Sequence, residues 1–177
     1  MPSRHARRAS LTAALIALAA APAAQASTAH HVTSAWDRQW LTSSISGDRF
    51  EVDGGRMAQR LGSAPAVKAL GARLERDHLQ SLHEAVRLAH HLGLSVPQKP
   101  TPSQEWELDS LRYFAGADFD RLYADLEVKD HRQDIRESRD EASDGTDPRV
   151  RALARKDLPV LRTHLRLSEA ARRAVGG

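Results

Sequence analysis

From Ser34 onward, apolar residues return every three or four positions in four long stretches, the period of helices with one buried face, and no stretch alternates as a strand would. The first predicted helix takes Ser34 as its N-cap and runs to about Leu61, carrying Trp36, Trp40, Leu41, Ile45 and Val52. Gly47, Gly54 and Gly55 interrupt it. A helical glycine costs up to about 1 kcal/mol against alanine, so a close neighbouring backbone or a local distortion is expected there. The second helix has Ser63 near its cap and Pro65 in its first turn, aligns Val67, Leu70, Leu74, Leu82, Ala85, Leu88 and Leu92, and stops at Gly93. Pro97, Pro100 and Pro102 then predict a crossover rather than a helix, followed by a short helix from Pro102 to about Phe114 and a break at Gly116. Asp118 is the expected cap of the third long helix, which carries Phe119, Leu122, Tyr123, Leu126, Val128 and Ile135 and fades near Ala142. After a polar turn over residues 143–147, Pro148 opens the fourth helix, with Val150, Leu153, Leu158, Leu161, Leu165 and Val175 on its stripe. Pro159 is expected to kink that helix or interrupt its hydrogen bonding.

Pro65-x-Val67-Lys68-Ala69-Leu70 recurs as Pro148-x-Val150-Arg151-Ala152-Leu153, 83 residues later (65 to 148), and both copies open the second helix of a hairpin. The predicted class is therefore all-α: a ferritin-like antiparallel four-helix bundle made of two helical hairpins, joined by a long proline-rich crossover with a short extra helix.

The N-terminus follows a different pattern. Arg4, Arg7 and Arg8 precede an apolar run from Leu11 to about Ala24, and Ala24-Gln25-Ala26 is a small-x-small cleavage site. Residues 1–26 are expected to be a signal peptide, residues 27–33 a flexible mature N-terminus and residues 34–177 the bundle domain. Arg7-Arg8 leaves the twin-arginine and general routes both open. The apolar run is too short for a permanent transmembrane anchor, and periplasmic or extracellular localisation is expected. Those three arginines account for the whole formal charge of +3, so the remainder is balanced and nucleic-acid binding has no electrostatic support. The absence of cysteine excludes thiol chemistry, disulfides and a lipoprotein anchor.

Polar residues on the apolar stripes are the candidate chemistry. Asp77-His78 lies between Leu74 and Leu82, Asp130-His131 repeats the pair between Val128 and Ile135, and His164 stands three residues after Leu161. Glu51 can face the same interior from the first helix. Glu51, His78, His131 and His164 are thus candidate ligands for iron, manganese, copper or zinc, with Glu75, Asp77, Glu127, Asp130 and Asp157 as nearby carboxylates. The competing reading is a polar layer whose members satisfy one another. A ferritin-type di-iron centre needs Glu-x-x-His on two helices; only Glu75-x-x-His78 complies, because Val128 and Leu161 stand three before His131 and His164. His83, His90 and His91 fall off the stripe, His30 and His31 lie before the bundle, and Met57 reads as core filling. The charged run from Arg132 to Asp144 reads as a solvated helix face. No Gly-x-Ser-x-Gly or phosphate loop is present.

Several motifs together resemble the bacterial exported proteins grouped as domain of unknown function 4142. They are Gly47-x-x-x-Glu51-Val52, Pro65-x-Val67-Lys68 with Asp77-His78, Phe119-Asp120-x-x-Tyr123 with Asp130-His131, and Leu158-Pro159-x-Leu161-x-x-His164-Leu165. They span about residues 36 to 170. The resemblance implies a ferritin-like bundle and export, and Glu51, His78, His131 and His164 are positions shared with the family pattern; Gly54-Gly55 departs from it. It implies no substrate. The functional expectation is a non-enzymatic, envelope- or stress-related exported protein that binds an envelope partner or small ligand, with a metal-binding, redox-capable bundle as the alternative.

Overall fold

The computed structural model describes residues 32–176; the expected signal peptide and most of the expected flexible segment lie outside the described residues. Five helices follow one another, α1 (Ala35–Leu61), α2 (Pro65–His91), α3 (Pro102–Leu111), α4 (Gly116–Asp144) and α5 (Pro148–Ala174), with no strand among the described residues. None of these helices is long and apolar enough to cross a membrane.

The helix boundaries follow local chemistry. Ser34 caps α1 in a capping box with Asp37, and Thr101 does the same for α3 with Gln104. Gly93, at φ 68°, closes α2: its own N–H donates to the His90 carbonyl and that of Leu94 to Ala89, a Schellman ending. One expected cap is corrected. Asp118 lies inside the first turn of α4, whose cap position is Ala115, and it pairs with Arg121. Ser63 stands beside the α2 cap position, Ala64, as expected; its hydroxyl donates to Asp120 of α4 (2.5 Å), which also accepts the backbone N–H groups of Ser63 (3.1 Å) and Ala64 (2.8 Å). A side chain from the other hairpin thus satisfies amides that α2 leaves without partners. Asp37 repeats the arrangement in reverse: from α1 it accepts from the Thr146 N–H (2.7 Å) and hydroxyl in the α4–α5 turn. The two locks are related by the same 83-residue offset, Asp37 to Asp120 and Ser63 to Thr146.

The hairpins read directly from their contacts. Gly55 meets Gly71, and Asp48 meets His78, so α1 and α2 run in opposite directions. Asp125 faces Arg172, Arg132 pairs with Glu169, and Ala142 accepts from Arg155, so α4 and α5 do too. α2 also packs on α5, α1 on α4, and α3 on α1 and α4. Gly55 confirms the close-approach reading: a Cβ there would stand 2.5 Å from the Gly71 carbonyl oxygen. α5 continues as helix through Pro159, which lacks an N–H and so interrupts the hydrogen bonding at the Arg155 carbonyl, as expected; Pro159 is exposed, where water can reach that carbonyl. Trp36 and Leu122, expected on buried stripes, are exposed at the stripe edges.

The core is divided. One apolar cluster gathers Phe50, Met57, Leu70, Leu74, Phe119 and Tyr123, and a second gathers Trp40, Leu41, Ile45, Leu82, Val150 and Leu153. Burying each large side chain contributes roughly 1.5–3 kcal/mol. Asp48, Glu51, His78, Glu127, His131 and His164, all nearly inaccessible, belong to neither cluster.

Candidate metal centre

His78 from α2, His131 from α4 and His164 from α5 meet in this polar layer, with ring centroids 5.0 to 5.8 Å apart. One ring nitrogen from each lies within 4.8 Å of the other two. The outer nitrogen of each ring is held. His131 Nδ1 lies 2.9 Å from the Glu127 carbonyl oxygen, which can only accept, so Nδ1 carries the proton. His78 Nδ1 lies 2.8 Å from Asp48 Oδ1, and His164 Nε2 lies 3.0 Å from Asp77 Oδ2. An ionised carboxylate likewise fixes the proton on the nitrogen it faces. The remaining nitrogens, His78 Nε2, His131 Nε2 and His164 Nδ1, are buried and meet no protein partner. In this tautomer a neutral imidazole presents its lone pair at that position.

Electrostatics keep His131 and His164 in the neutral form. Burial, then the neighbouring His78 and His164, holds His131 well below the usual histidine range, and burial followed by His78 lowers His164 to about 4. Burial pushes Asp77 up, but hydrogen bonds from His164 and Arg73 outweigh it and hold the carboxylate ionised below its ordinary value. Burial raises Asp48 against the pull of His78.

Not every expected ligand joins the trio. Glu51, 1% exposed, groups instead with Glu127 and His131 on one side and with Asp130 and Asp134 on the other. Glu75 is not a neighbour of the centre at all: it turns toward α1, where Arg56 Nε (2.8 Å) and Gln59 Nε2 (2.7 Å) donate to it. The lone Glu-x-x-His match is therefore coincidental spacing. Asp77 and Glu127 do support the histidines, whereas Asp157 lines a cavity nearby and is raised to about 7 by burial and then by Asp48 and Glu84. Sequence reasoning missed Asp48, although it falls three residues after Ile45 and four before Val52 on the α1 stripe. It also treated Asp134 and Glu141 as solvated; Glu141 is fully buried, and burial, then Asp37, raises it to about 7. The signal was present in the three-, four- and seven-residue spacing from Glu127 through His131 to Asp134, Ser138 and Glu141. His83, His90 and His91 are exposed, and Met57 packs in the apolar core, both as expected.

A cavity of about 540 Å³ reaches His78 and His164 from the surface. Asp48, Asp77, Asp130, Asp134, Asp157 and Glu137 are among its wall residues, against Arg73 and Lys156. An acid-rich wall concentrates cations by its field.

Fold and site together define a class: an all-helical bundle whose core is split by a buried histidine–carboxylate layer. The chain belongs to the family described as Domain of unknown function (DUF4142), whose model matches residues 19–171. A solved structure, the crystal structure of a DUF305 fragment from Deinococcus radiodurans, is similar with a TM-score of 0.71 at 13% identity, covering 80% of this chain and 98% of that one. At that identity the likeness is one of fold. No curated protein matches the chain.

Proposed function

We propose that this protein binds a transition-metal ion on His78, His131 and His164, and does so in the cell envelope. The observation that carries the reading is the set of three buried imidazole nitrogens, each without a protein partner and each left free by a hydrogen bond at the opposite side of its ring. A layer whose polar groups satisfy one another leaves these three atoms unaccounted for, and unpartnered polar atoms in a core are costly. Metal-binding histidines characteristically donate their other N–H to a carboxylate or carbonyl, which fixes tautomer and ring orientation.

Metal–nitrogen bonds of about 2.0–2.1 Å in a tetrahedral site put donors about 3.3 Å apart, so a closure of the order of 1 Å or less completes the site from the present spacing. Three imidazoles suit zinc, copper, cobalt or iron, and three protein ligands leave a further position for water or an exchanging ligand. The cavity gives that position a route to the surface. Metal acquisition or hand-over fits this arrangement better than a closed structural site. The envelope assignment rests on the basic, apolar and small-residue order of residues 1–26 and on the absence of cysteine.

Protein purified without an affinity tag and stripped of metal should take up a single equivalent of Co²⁺ with a tetrahedral visible spectrum, and Zn²⁺ should displace it. Bound at 100 times its dissociation constant, a metal stabilises the fold by about 2.7 kcal/mol. His164→Ala should lose both spectrum and stabilisation. A wild-type melting temperature unmoved by Zn²⁺, Co²⁺, Cu²⁺ and Fe²⁺ alike overturns the proposal.

A further inference from the structure

We propose that the bundle also carries a second, oxygen-lined site for a hard divalent cation, built by Glu51 of α1 with Asp130 and Asp134 of α4 beside the histidine centre. One carboxylate oxygen from each of Glu51, Asp130 and Asp134 lies within 4.8 Å of the others. The placement follows from helical spacing: Glu127, Asp130 and Asp134 stand at i, i+3 and i+7 on one face of α4, and that face packs on α1 where Glu51 projects. Glu51 and Asp134 are themselves related by the 83-residue offset that relates the two hairpins.

Acidic residues gather on many surfaces without binding anything, but this group is different in kind. Glu51 is 1% exposed and neither of its oxygens has a hydrogen-bond partner. The hydroxyl of Tyr123, fully buried, lies beside Glu127 without reaching hydrogen-bond geometry, and Glu127 Oε2 is also unpartnered. No Lys or Arg side chain bonds to Glu51, Asp130 or Asp134 among the described residues. Mutual repulsion of buried carboxylates is relieved by protons or by a cation. A proton shared between Glu51 and Asp130 bridges only two of these carboxyls, whereas a cation is reached by all three at once. Burial, reinforced by the neighbouring acids, raises Glu51 and Asp134 well above the ordinary carboxylate range, as expected where a counter-charge belongs.

Access and selectivity follow. Asp130 and Asp134 line the cavity that also reaches His78 and His164, whereas Glu51 stands behind them. A cation entering there meets oxygen donors on one side and nitrogen donors on the other. Carboxylates select Mn²⁺, Mg²⁺ or Ca²⁺, and imidazoles select Zn²⁺ or Cu²⁺. The two sites thus sort ions by hardness, and this inference rests on side chains that the histidine reading does not use.

The test loads metal-free full-length protein with a single equivalent of Zn²⁺ and titrates Mn²⁺, following free Mn²⁺ by its paramagnetic resonance signal. The wild type should bind one Mn²⁺ per chain with Zn²⁺ retained. Glu51→Gln and Asp134→Asn should each weaken Mn²⁺ binding at least about tenfold, with Zn²⁺ uptake and helical circular dichroism unchanged. Asp134 is half-buried at the cavity wall, so its variant keeps the test readable if Glu51→Gln folds poorly. Absence of Mn²⁺ binding to the wild type, its displacement by the first equivalent of Zn²⁺, or wild-type Mn²⁺ affinity in both variants overturns the second site. Mn²⁺ binding that persists while Zn²⁺ fails to bind overturns the histidine reading alone and leaves this one standing.

Discussion

Asp48 shows how much of the proposed centre depends on residues that would never touch its ion. Its Oδ1 holds the Nδ1 proton of His78, and without it the ring is free to take the other tautomer and to turn. Asp48→Ala should therefore lower Zn²⁺ affinity roughly 10–100-fold, measured by competition with a chromophoric chelator, while circular dichroism reports an intact bundle. The three histidines were legible because each interrupts an apolar stripe. Asp48 obeyed the same spacing from Ile45 and Val52, but an isolated aspartate in a helix of mixed polarity does not announce a partner. Glu51 was legible as an inward-facing residue; that it reaches His131 on one side and Asp130 and Asp134 on the other depends on the rotation of α1 against α4, which spacing within one helix does not specify.

Among the elements, the α1–α2 contact is set by Gly55 and Gly71. A Cβ on Gly71 would stand 2.6 Å from Ala58 Cβ and 2.7 Å from the Gly55 carbonyl oxygen, so both positions demand that the backbones separate. Gly55→Ala should destabilise the fold by about 1–3 kcal/mol in urea titration, as overpacking does. Gly54→Ala is the control: its Cβ would meet Tyr123 at an ordinary 3.6 Å, and the higher helix propensity of alanine should leave stability nearly unchanged or improved. At the helix ends, Asp120→Ala strands the Ser63 and Ala64 N–H groups and the Ser63 hydroxyl, and should cost about 1–3 kcal/mol by the same measurement. That lock was invisible in the chain read locally, since Ser63's partner lies 57 residues away. The echoed Pro-x-Val openings were visible because Pro at the first helical position is a local requirement.

For the whole molecule, the buried acids make stability depend on pH. Glu127, Glu141 and Asp157 have folded values raised to about 8, 7 and 7. The folded state then holds more protons than the unfolded chain above the ordinary carboxylate range, so this contribution is complete below pH about 4 and is lost as pH rises through 7 to 8. His131 and His164 act oppositely, since their lowered values penalise folding below pH about 6.5, and above it they are neutral in both states. Metal-free protein should therefore lose several degrees of melting temperature between pH 6.5 and 8, followed by calorimetry in chelator. Loading with metal should flatten or reverse that slope, because a cation takes the place of the protons and binds more tightly as carboxylates ionise.

What the chain determined by itself was everything that operates within about two turns: helix periods, glycine and proline punctuation, most caps, the hairpin echo and which faces carry imidazoles. Those features depend on contacts between residues close in sequence. Tertiary structure alone decided that three histidines from α2, α4 and α5 share a centre while Glu51 joins Asp130 and Asp134, that Asp37 and Asp120 lock opposite turns, and that Glu75 faces away. Each of these depends on the relative rotation and depth of packed helices, which is the joint outcome of side-chain volumes along every interface and belongs to no single segment.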